Sequence, residues 1–156
     1  MNYKGSCHCS AIKFEFTSPS IEEGLRCNCS ICRRKGALMT PFNVAPNELK
    51  ITSDSGALAT YEFGSCVAKH HFCSKCGIYP FHQSMRKPGH YRFNIGCIEG
   101  INSFSLPFKV FDGESLWCNL IKQGTICRKK TRHGFTTLRL AHPKLRRYIC
   151  EIIQCH

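Results

Sequence analysis

Seven of the 13 cysteines in this 156-residue chain fall into three short groups with the spacing of metal ligands. One group is C-x-C, one is C-x-x-C followed by glycine, and one is C-x-C-x-x-C. Zinc in proteins takes four ligands at tetrahedral angles, and thiolates bind it at about 2.3 Å. Thiols grouped in this way predict zinc binding. The groups are Cys7 and Cys9, then Cys73 and Cys76, then Cys27, Cys29 and Cys32.

The C-x-C and C-x-x-C groups complement each other as halves of one site. Residues two apart on a strand project to the same face, so Cys7 and Cys9 present both sulfurs together. Cys73 and Cys76 come from a tight turn in which Gly77 accepts a positive φ, and the backbone N–H groups of that turn can point at sulfur. We predict that these four cysteines bind one structural zinc ion, because a saturated site has no position for a substrate.

The remaining group stops at three ligands. Cys27, Cys29 and Cys32 would leave one coordination position open, which is the arrangement that catalytic zinc needs. The alternative is that another protein residue completes the tetrahedron. Cys97 is the first residue to check, although it shares one face of a predicted strand with apolar side chains. The candidates for a fourth ligand are Cys97, Cys66, His70, His71 and His82.

The expected location supports metal binding over disulfides. The first ten residues lack the apolar segment of a signal peptide, and no apolar run approaches the roughly 20 residues of a membrane span. We therefore expect a cytosolic protein without a membrane partner. Disulfides are rare in a reducing cytosol, and the odd cysteine count and paired spacings also disfavour a secreted disulfide scaffold.

The positive charge is concentrated at one end of the chain. The net charge is +12, but residues 1–120 carry 13 Lys and Arg against 9 Asp and Glu, whereas residues 121–156 carry 9 against 1. Zinc bound by three or four thiolates is itself an anionic unit, which brings residues 1–120 near neutrality. The body of the chain is therefore not a basic domain, and we expect nucleic acid to bind only through the basic tail, if at all.

Alternating apolar and polar residues predict a mainly β, mainly antiparallel domain over residues 1–120. In 12–16, for example, Ile12, Phe14 and Phe16 share one face. A short helical turn is predicted after the cysteine triplet, with Ser30 as N-cap and Gly36 as its end. Turn residues separate the segments. The predicted strands are 12–16, 49–54, 58–64, 67–73, 91–97 and 108–113.

Residues 121–156 read as a poorly patterned basic extension. Apolar residues at helical spacing in 145–153 predict one or two amphipathic turns. The extension could be an arm that binds nucleic acid or a membrane surface. It could equally be an incidental extension, which is the interpretation that its lack of patterning favours.

The segments "GSCHCSAI", "CNCSICRRKGA", "HHFCSKCGIYPFH", "NIGCIEG" and "FDG" resemble the family of glutathione-dependent formaldehyde-activating enzymes and centromere protein V. The resemblance runs from Gly5 to about Trp117. It implies a compact fold of β-tent type, built from folded sheets around zinc. It also implies that the four-cysteine set is the structural site and that the triplet holds the second zinc ion.

The resemblance implies a carbon–sulfur lyase that acts on S-(hydroxymethyl)glutathione or a similar adduct of a thiol and an aldehyde. Arg33 and Arg34, with Lys35, lie beside the triplet in sequence and could hold the carboxylates of a small-molecule thiol such as glutathione. The alternative interpretation of these three residues is an ordinary solvated basic segment without a binding role. The alternative function for the whole protein is a zinc-stabilised binding module without catalysis. The sequence does not identify a residue that would transfer a proton in catalysis.

Overall fold

The computed structural model describes residues 1–63 and 66–115. Within these ranges nine short strands are joined by turns, and the helix α1 covers Cys32–Lys35. Two 3-10 turns cover Pro46–Glu48 and Ile95–Cys97. The strands are β1 (Asn2–Ser6), β2 (Ile12–Thr17), β3 (Gly24–Cys27), β4 (Leu49–Ser53), β5 (Leu58–Tyr61), β6 (Lys69–Cys73), β7 (Phe81–Gln83), β8 (Tyr91–Phe93) and β9 (Phe108–Phe111).

The strands of the described residues form three open sheets. One sheet has the order β1-β2-β4 and another the order β5-β6-β7-β8, and all pairs in both are antiparallel. The third sheet pairs β3 with β9 in parallel. Isolated bridges connect the sheets, because Met39 pairs with both Leu25 and Asn94, and Gly5 pairs with Ile98. The predicted mainly β fold is thus confirmed.

An aromatic core joins the two larger sheets. Strand β2 buries Ile12, Phe14 and Phe16, as its alternating pattern predicts. The ring of Phe93 lies 4.3 Å from that of Phe16 and 4.7 Å from that of Phe14, between centroids. Burying each such side chain stabilises the fold by roughly 1.5–3 kcal/mol. This packing holds β6 and β7, which carry part of the candidate site, against the first sheet.

The predicted elements differ from the observed ones mainly at their ends. The strand expected over 91–97 ends at Phe93, because the Asn94 side chain accepts a hydrogen bond from the Gly96 N–H (3.1 Å) and starts a 3-10 turn. The helix after the triplet is confirmed and ends at Gly36 (φ 64°), but its N-cap is Ile31 and not Ser30. Pattern analysis missed β1, β3 and β7, which are short or only partly alternating.

The predicted boundary between a domain at 1–120 and an extension at 121–156 stays a prediction. The extension, including the amphipathic turns expected in 145–153, lies outside the described residues. Among the described residues, no helix is both long enough and apolar enough to cross a membrane.

Candidate metal centres and the adjoining cavity

The four-cysteine set comes together at the junction of two sheets. Cys7 follows β1, and Cys73 ends β6, whereas Cys9 and Cys76 lie in the adjacent turns. The Sγ atoms of Cys7 and Cys9 are 3.6 Å apart, those of Cys9 and Cys73 are 3.7 Å apart, and all four lie within 4.8 Å of one another. A tetrahedron with Zn–S bonds of about 2.3 Å has edges of about 3.8 Å. The four sulfurs therefore fit one tetrahedral metal ion.

Backbone N–H groups around this site favour thiolates. Hydrogen bonds from the N–H groups of Ile78 and Cys9 lower the pKa of Cys76 to about 6. The Ile12 N–H donates to the sulfur of Cys7 (3.3 Å), although burial has the larger effect and raises the pKa of that thiol. Gly77 adopts φ 74°, the left-handed conformation that the C-x-x-C turn requires. At Cys9 the lowering effect of the Ala11 N–H is outweighed by desolvation and by the neighbouring thiols, which raise its pKa to about 11. A bound cation would offset this crowding.

The triplet forms a second cluster at the end of β3. Cys27 is the last residue of β3, Cys29 is buried in the following turn, and Cys32 begins α1. Their sulfurs lie within 4.8 Å of one another, and among the described residues no fourth His, Cys, Asp or Glu joins them. The thiols of Cys27 and Cys32, together with backbone N–H groups, lower the pKa of Cys29. Proximity of Cys27 and Cys29 raises the pKa of Cys32. Three crowded thiols of this kind fit a metal ion that would neutralise them.

Cys97 and the other candidates for a fourth ligand lie in different places. Cys97 points its Sγ toward the carbonyl of Tyr79 (3.9 Å), and burial, followed by the charge of Cys76, raises its pKa to about 11. His71 instead shares a hydrogen bond with Thr60 (2.9 Å). Cys66 is half-buried and belongs to neither cluster. Only His70 and His82 border the cavity beside the triplet.

A turn near residue 112 holds the triplet in place, and pattern analysis had not assigned it this role. The Asn28 side chain donates to Asp112 (2.9 Å) and accepts from the Glu114 N–H (2.9 Å). Gly113 lies between them, packed against Cys27 and Cys29. The parallel pairing of β3 with β9 brings this turn beside the triplet. The motif "FDG" was the one feature of the sequence that could have indicated this role. Its contact with the triplet, however, follows only from the pairing of β3 with β9.

The triplet forms one wall of a cavity of about 130 Å³. Its other walls come from α1, from the second sheet and from the segment after β7, and they combine apolar, aromatic and basic side chains. No carboxylate is among the described residues that line it. The polar and charged lining residues outside the triplet are Lys35, His70, Tyr79, His82, Ser84, Arg86 and Arg92.

Three of these side chains contact one another. The Lys35 Nζ lies 3.4 Å from the ring centroid of Tyr79. The Tyr79 hydroxyl and the Nδ1 of His82 are 2.5 Å apart. His82 pairs across the sheet with His70, and their ring centroids are 5.6 Å apart. Burial lowers the pKa of His70 to about 4 and that of His82 to about 3, so both imidazoles are neutral at pH 7. The cavity's positive charge therefore belongs to its lysine and arginines.

The basic run after the triplet divides between the surface and the cavity. Arg33 lies on the surface, where its Nη1 is 3.7 Å from a carboxylate oxygen of Glu114. The Nη1 of Arg34 donates to the carbonyl of Ser30 (2.5 Å). Of the three, only Lys35 lines the cavity, and burial lowers its pKa to about 8 against the opposing effect of the Cys32 and Cys29 charges. A carboxylate-binding role for Arg33 and Arg34 stays a prediction.

The fold and the two clusters define a class of small, mainly β proteins with two cysteine centres suited to metal, one closed and one beside a cavity. A sequence model of the family described as "Glutathione-dependent formaldehyde-activating enzyme" matches residues 2–114. The chain belongs to this family, and the resemblance drawn from its cysteine motifs is confirmed.

Two individual proteins are similar to this chain. A Halomonas elongata protein named "Putative glutathione-dependent formaldehyde-activating enzyme" is 30% identical over 82 residues, which span 49% of this chain and 52% of that protein. The chain thus matches about half the length of this curated relative. A crystal structure of a Rhodobacter sphaeroides protein superposes with a TM-score of 0.61 at 35% identity, covering 68% of this chain and 99% of that one.

Proposed function

We propose that this protein is a zinc-dependent carbon–sulfur lyase that acts on an adduct of a thiol and an aldehyde, such as S-(hydroxymethyl)glutathione. The observation that carries the proposal is the triplet of sulfurs, which has no fourth protein ligand among the described residues and borders a cavity. Family membership supports glutathione and formaldehyde as the reacting pair.

In the cleavage direction the reaction breaks the C–S bond and forms the C=O bond of formaldehyde. The sulfur keeps the bonding electrons and ends as a thiol, and the hydroxyl oxygen loses its proton. Zinc, where bound by the triplet, would supply a positive charge that favours the thiolate form of a substrate thiol. The chain's own contribution is to place the S–C–O unit in the cavity that the triplet borders.

We assign two zinc ions, a structural one to Cys7, Cys9, Cys73 and Cys76 and a catalytic one to Cys27, Cys29 and Cys32. Arg33 and Arg34, at the outer edge of the second site, are our candidates for holding glutathione carboxylates. We place the reaction in the cytosol, where thiols are kept reduced.

The function is tested by the rate at which glutathione and formaldehyde exchange with their adduct. Purified zinc-loaded protein should accelerate this exchange, as measured by NMR with 13C-formaldehyde. Cys29→Ser should abolish the acceleration and release the triplet's metal, yet keep the zinc of the four-cysteine site. Cys97→Ser is the matched control, since it removes a thiol outside both clusters, and it should behave as the parent protein does.

The alternative, a zinc-stabilised binding module, predicts a different outcome. A protein that holds both zinc ions and binds glutathione without accelerating exchange would refute the lyase and support the module. The open ligand position is tested separately by cobalt substitution of the triplet site. Glutathione should shift the absorption of this cobalt centre, and an unchanged spectrum would mean that the site is closed.

A further inference from the structure

The ammonium group of Lys35 is the unexplained feature of the cavity. Its Nζ atom is buried and has no hydrogen-bond partner among the described residues. A buried charge without an acceptor is unfavourable, and proteins normally pair it. The lining offers it no carboxylate, and its neighbours of complementary charge are the face of the Tyr79 ring and the charges of Cys32 and Cys29. An anionic or strongly accepting group of a ligand would complete this environment.

The position of Lys35 relative to the triplet is set by the backbone. Lys35 and Cys32 are the two ends of α1, and the Lys35 N–H donates to the carbonyl of Ile31 (3.1 Å). Lys35 therefore lies about one helical turn after Cys32, and its Nζ atom lies over the Tyr79 ring. Because the Tyr79 hydroxyl is held by His82, the ring that supports the ammonium is itself fixed. The ammonium is thus preorganised in the cavity that the sulfurs border, as an electrostatic catalyst requires.

The two arginines of the cavity have other partners. The Arg92 Nε donates to the Asn43 side chain (3.2 Å), and the Arg86 guanidinium stacks on the Phe111 ring at 4.9 Å from its centroid. Lys35 differs from both because its nitrogen is buried and no described residue accepts a hydrogen bond from it. In the thiol–aldehyde adduct, the hydroxyl oxygen lies two bonds from the reacting sulfur, as the S–C–O unit shows. A group that binds this oxygen must therefore reach the same cavity as the sulfur.

We propose that Lys35 is a catalytic residue that donates a hydrogen bond to the oxygen of the hydroxymethyl group. This inference rests on the proposed function. During condensation the thiolate sulfur bonds to the formaldehyde carbon, the π electrons of the C=O bond move to oxygen, and the Lys35 N–H stabilises the charge that develops there. The oxygen then takes up, through solvent, the proton that the thiol released. Cleavage follows the same path in reverse.

Binding of two small thiols tests this role without relying on turnover. Thioglycolate carries a carboxylate on the carbon next to sulfur, so its oxygens lie one bond farther from sulfur than the hydroxymethyl oxygen does, and ethanethiol carries a methyl group in place of the carboxylate. The zinc-loaded protein should bind thioglycolate at least about ten-fold more tightly than ethanethiol, since a charge-assisted hydrogen bond commonly contributes this much. Lys35→Met should remove the preference, Lys35→Arg should retain part of it, and Lys13→Met, a change on the exposed face of β2, should leave it unchanged.

Two results would contradict the proposed role of Lys35. An unchanged preference in Lys35→Met, or a preference lost instead in Arg86→Met, would overturn the assignment. Should Lys35→Met lose its triplet zinc, Lys35→Leu provides the same comparison, because leucine also has no hydrogen-bond donor. In the exchange assay, Lys35→Met should lose at least ten-fold in rate with unaltered zinc content. If the parent protein shows no exchange but Lys35 sets the thioglycolate preference, the proposed function fails while the oxygen-binding role of Lys35 stands.

Discussion

Gly113 lies so close to Cys27 that a Cβ atom at position 113 would be 2.5 Å from the Cys27 sulfur. The same atom would be 3.0 Å from the Cβ of Cys29. A carbon and a sulfur atom cannot stay 2.5 Å apart, so glycine is the residue that lets the segment after β9 close over the triplet. The turn is tied down on both sides by the Asn28 side chain.

Replacing Gly113 by alanine should therefore disrupt the triplet and spare the fold. We expect Gly113→Ala to lose about one zinc ion of about two, because the added methyl group displaces a ligand sulfur. Metal analysis of the purified protein measures this directly. Gly96→Ala is the control, since its Cβ would meet the Asn94 side chain at an ordinary 3.4 Å. Full zinc content in Gly113→Ala would show that the triplet does not hold metal in this geometry.

The four-cysteine site should decide whether the protein folds. Structural zinc contributes on the order of 10 kcal/mol, which is comparable to the whole free energy of unfolding of a domain. Cys76→Ser should therefore yield unfolded or insoluble protein, as judged by circular dichroism and solubility. The comparison is Cys97→Ser, which changes a half-buried thiol outside the cluster and should fold. A soluble Cys76→Ser protein that melts cooperatively with unchanged zinc would contradict a structural role.

Burial of His82 should make stability depend on pH. The pKa of His82 is lowered to about 3, chiefly by burial and further by its neighbours His70, Lys35 and Arg92, whereas an unfolded histidine has a pKa near 6.5. As pH falls below about 6.5, the unfolded chain binds a proton that the folded protein does not. Stability is thus complete above this pH and is lost progressively down to about 3.

The contribution of His82 can be isolated by comparison with His82→Asn. Between about pH 6 and pH 5, the free energy of unfolding of the parent should fall more steeply than that of the variant, by up to about 1.4 kcal/mol per pH unit. Urea unfolding at several pH values gives both slopes, and the zinc sites are common to the two proteins. Equal slopes would mean that His82 binds its proton as readily in the folded protein as in the unfolded chain.

Truncation after Asn119 should leave the folded domain intact. All seven predicted metal ligands and the whole family match, residues 2–114, precede that point. We expect zinc content to be unchanged and the melting temperature to move by less than about 2 °C. A loss of several degrees would show that residues 120–156 stabilise the domain. Loss of RNA or DNA binding at physiological salt would instead support a nucleic-acid-binding arm.

The sequence by itself was sufficient for features that depend on residues close together in the chain. The cysteine spacings identified the groups whose sulfurs lie together, because C-x-C and C-x-x-C keep their members within a few residues of one another. That Cys7 and Cys9 meet Cys73 and Cys76 depends instead on the tertiary structure. Alternation identified β2 and its buried residues Ile12, Phe14 and Phe16, since side chains of a strand alternate between its two faces. Gly36 marked the end of α1, because glycine adopts the left-handed conformation required there.

Other features were decided only by tertiary structure, because they depend on which distant segments pair. The register of β6 with β7 places His70 opposite His82, and no local pattern contains that register. The parallel pairing of β3 with β9 brings Gly113 to Cys27. The neighbouring hydrogen bond between Asn28 and Glu114 joins residues that are 86 positions apart in the chain. Within the run from Arg33 to Lys35 the three cations look alike in sequence. Only the packing of α1 against Tyr79 directs Lys35 into the cavity and leaves Arg33 beside Glu114.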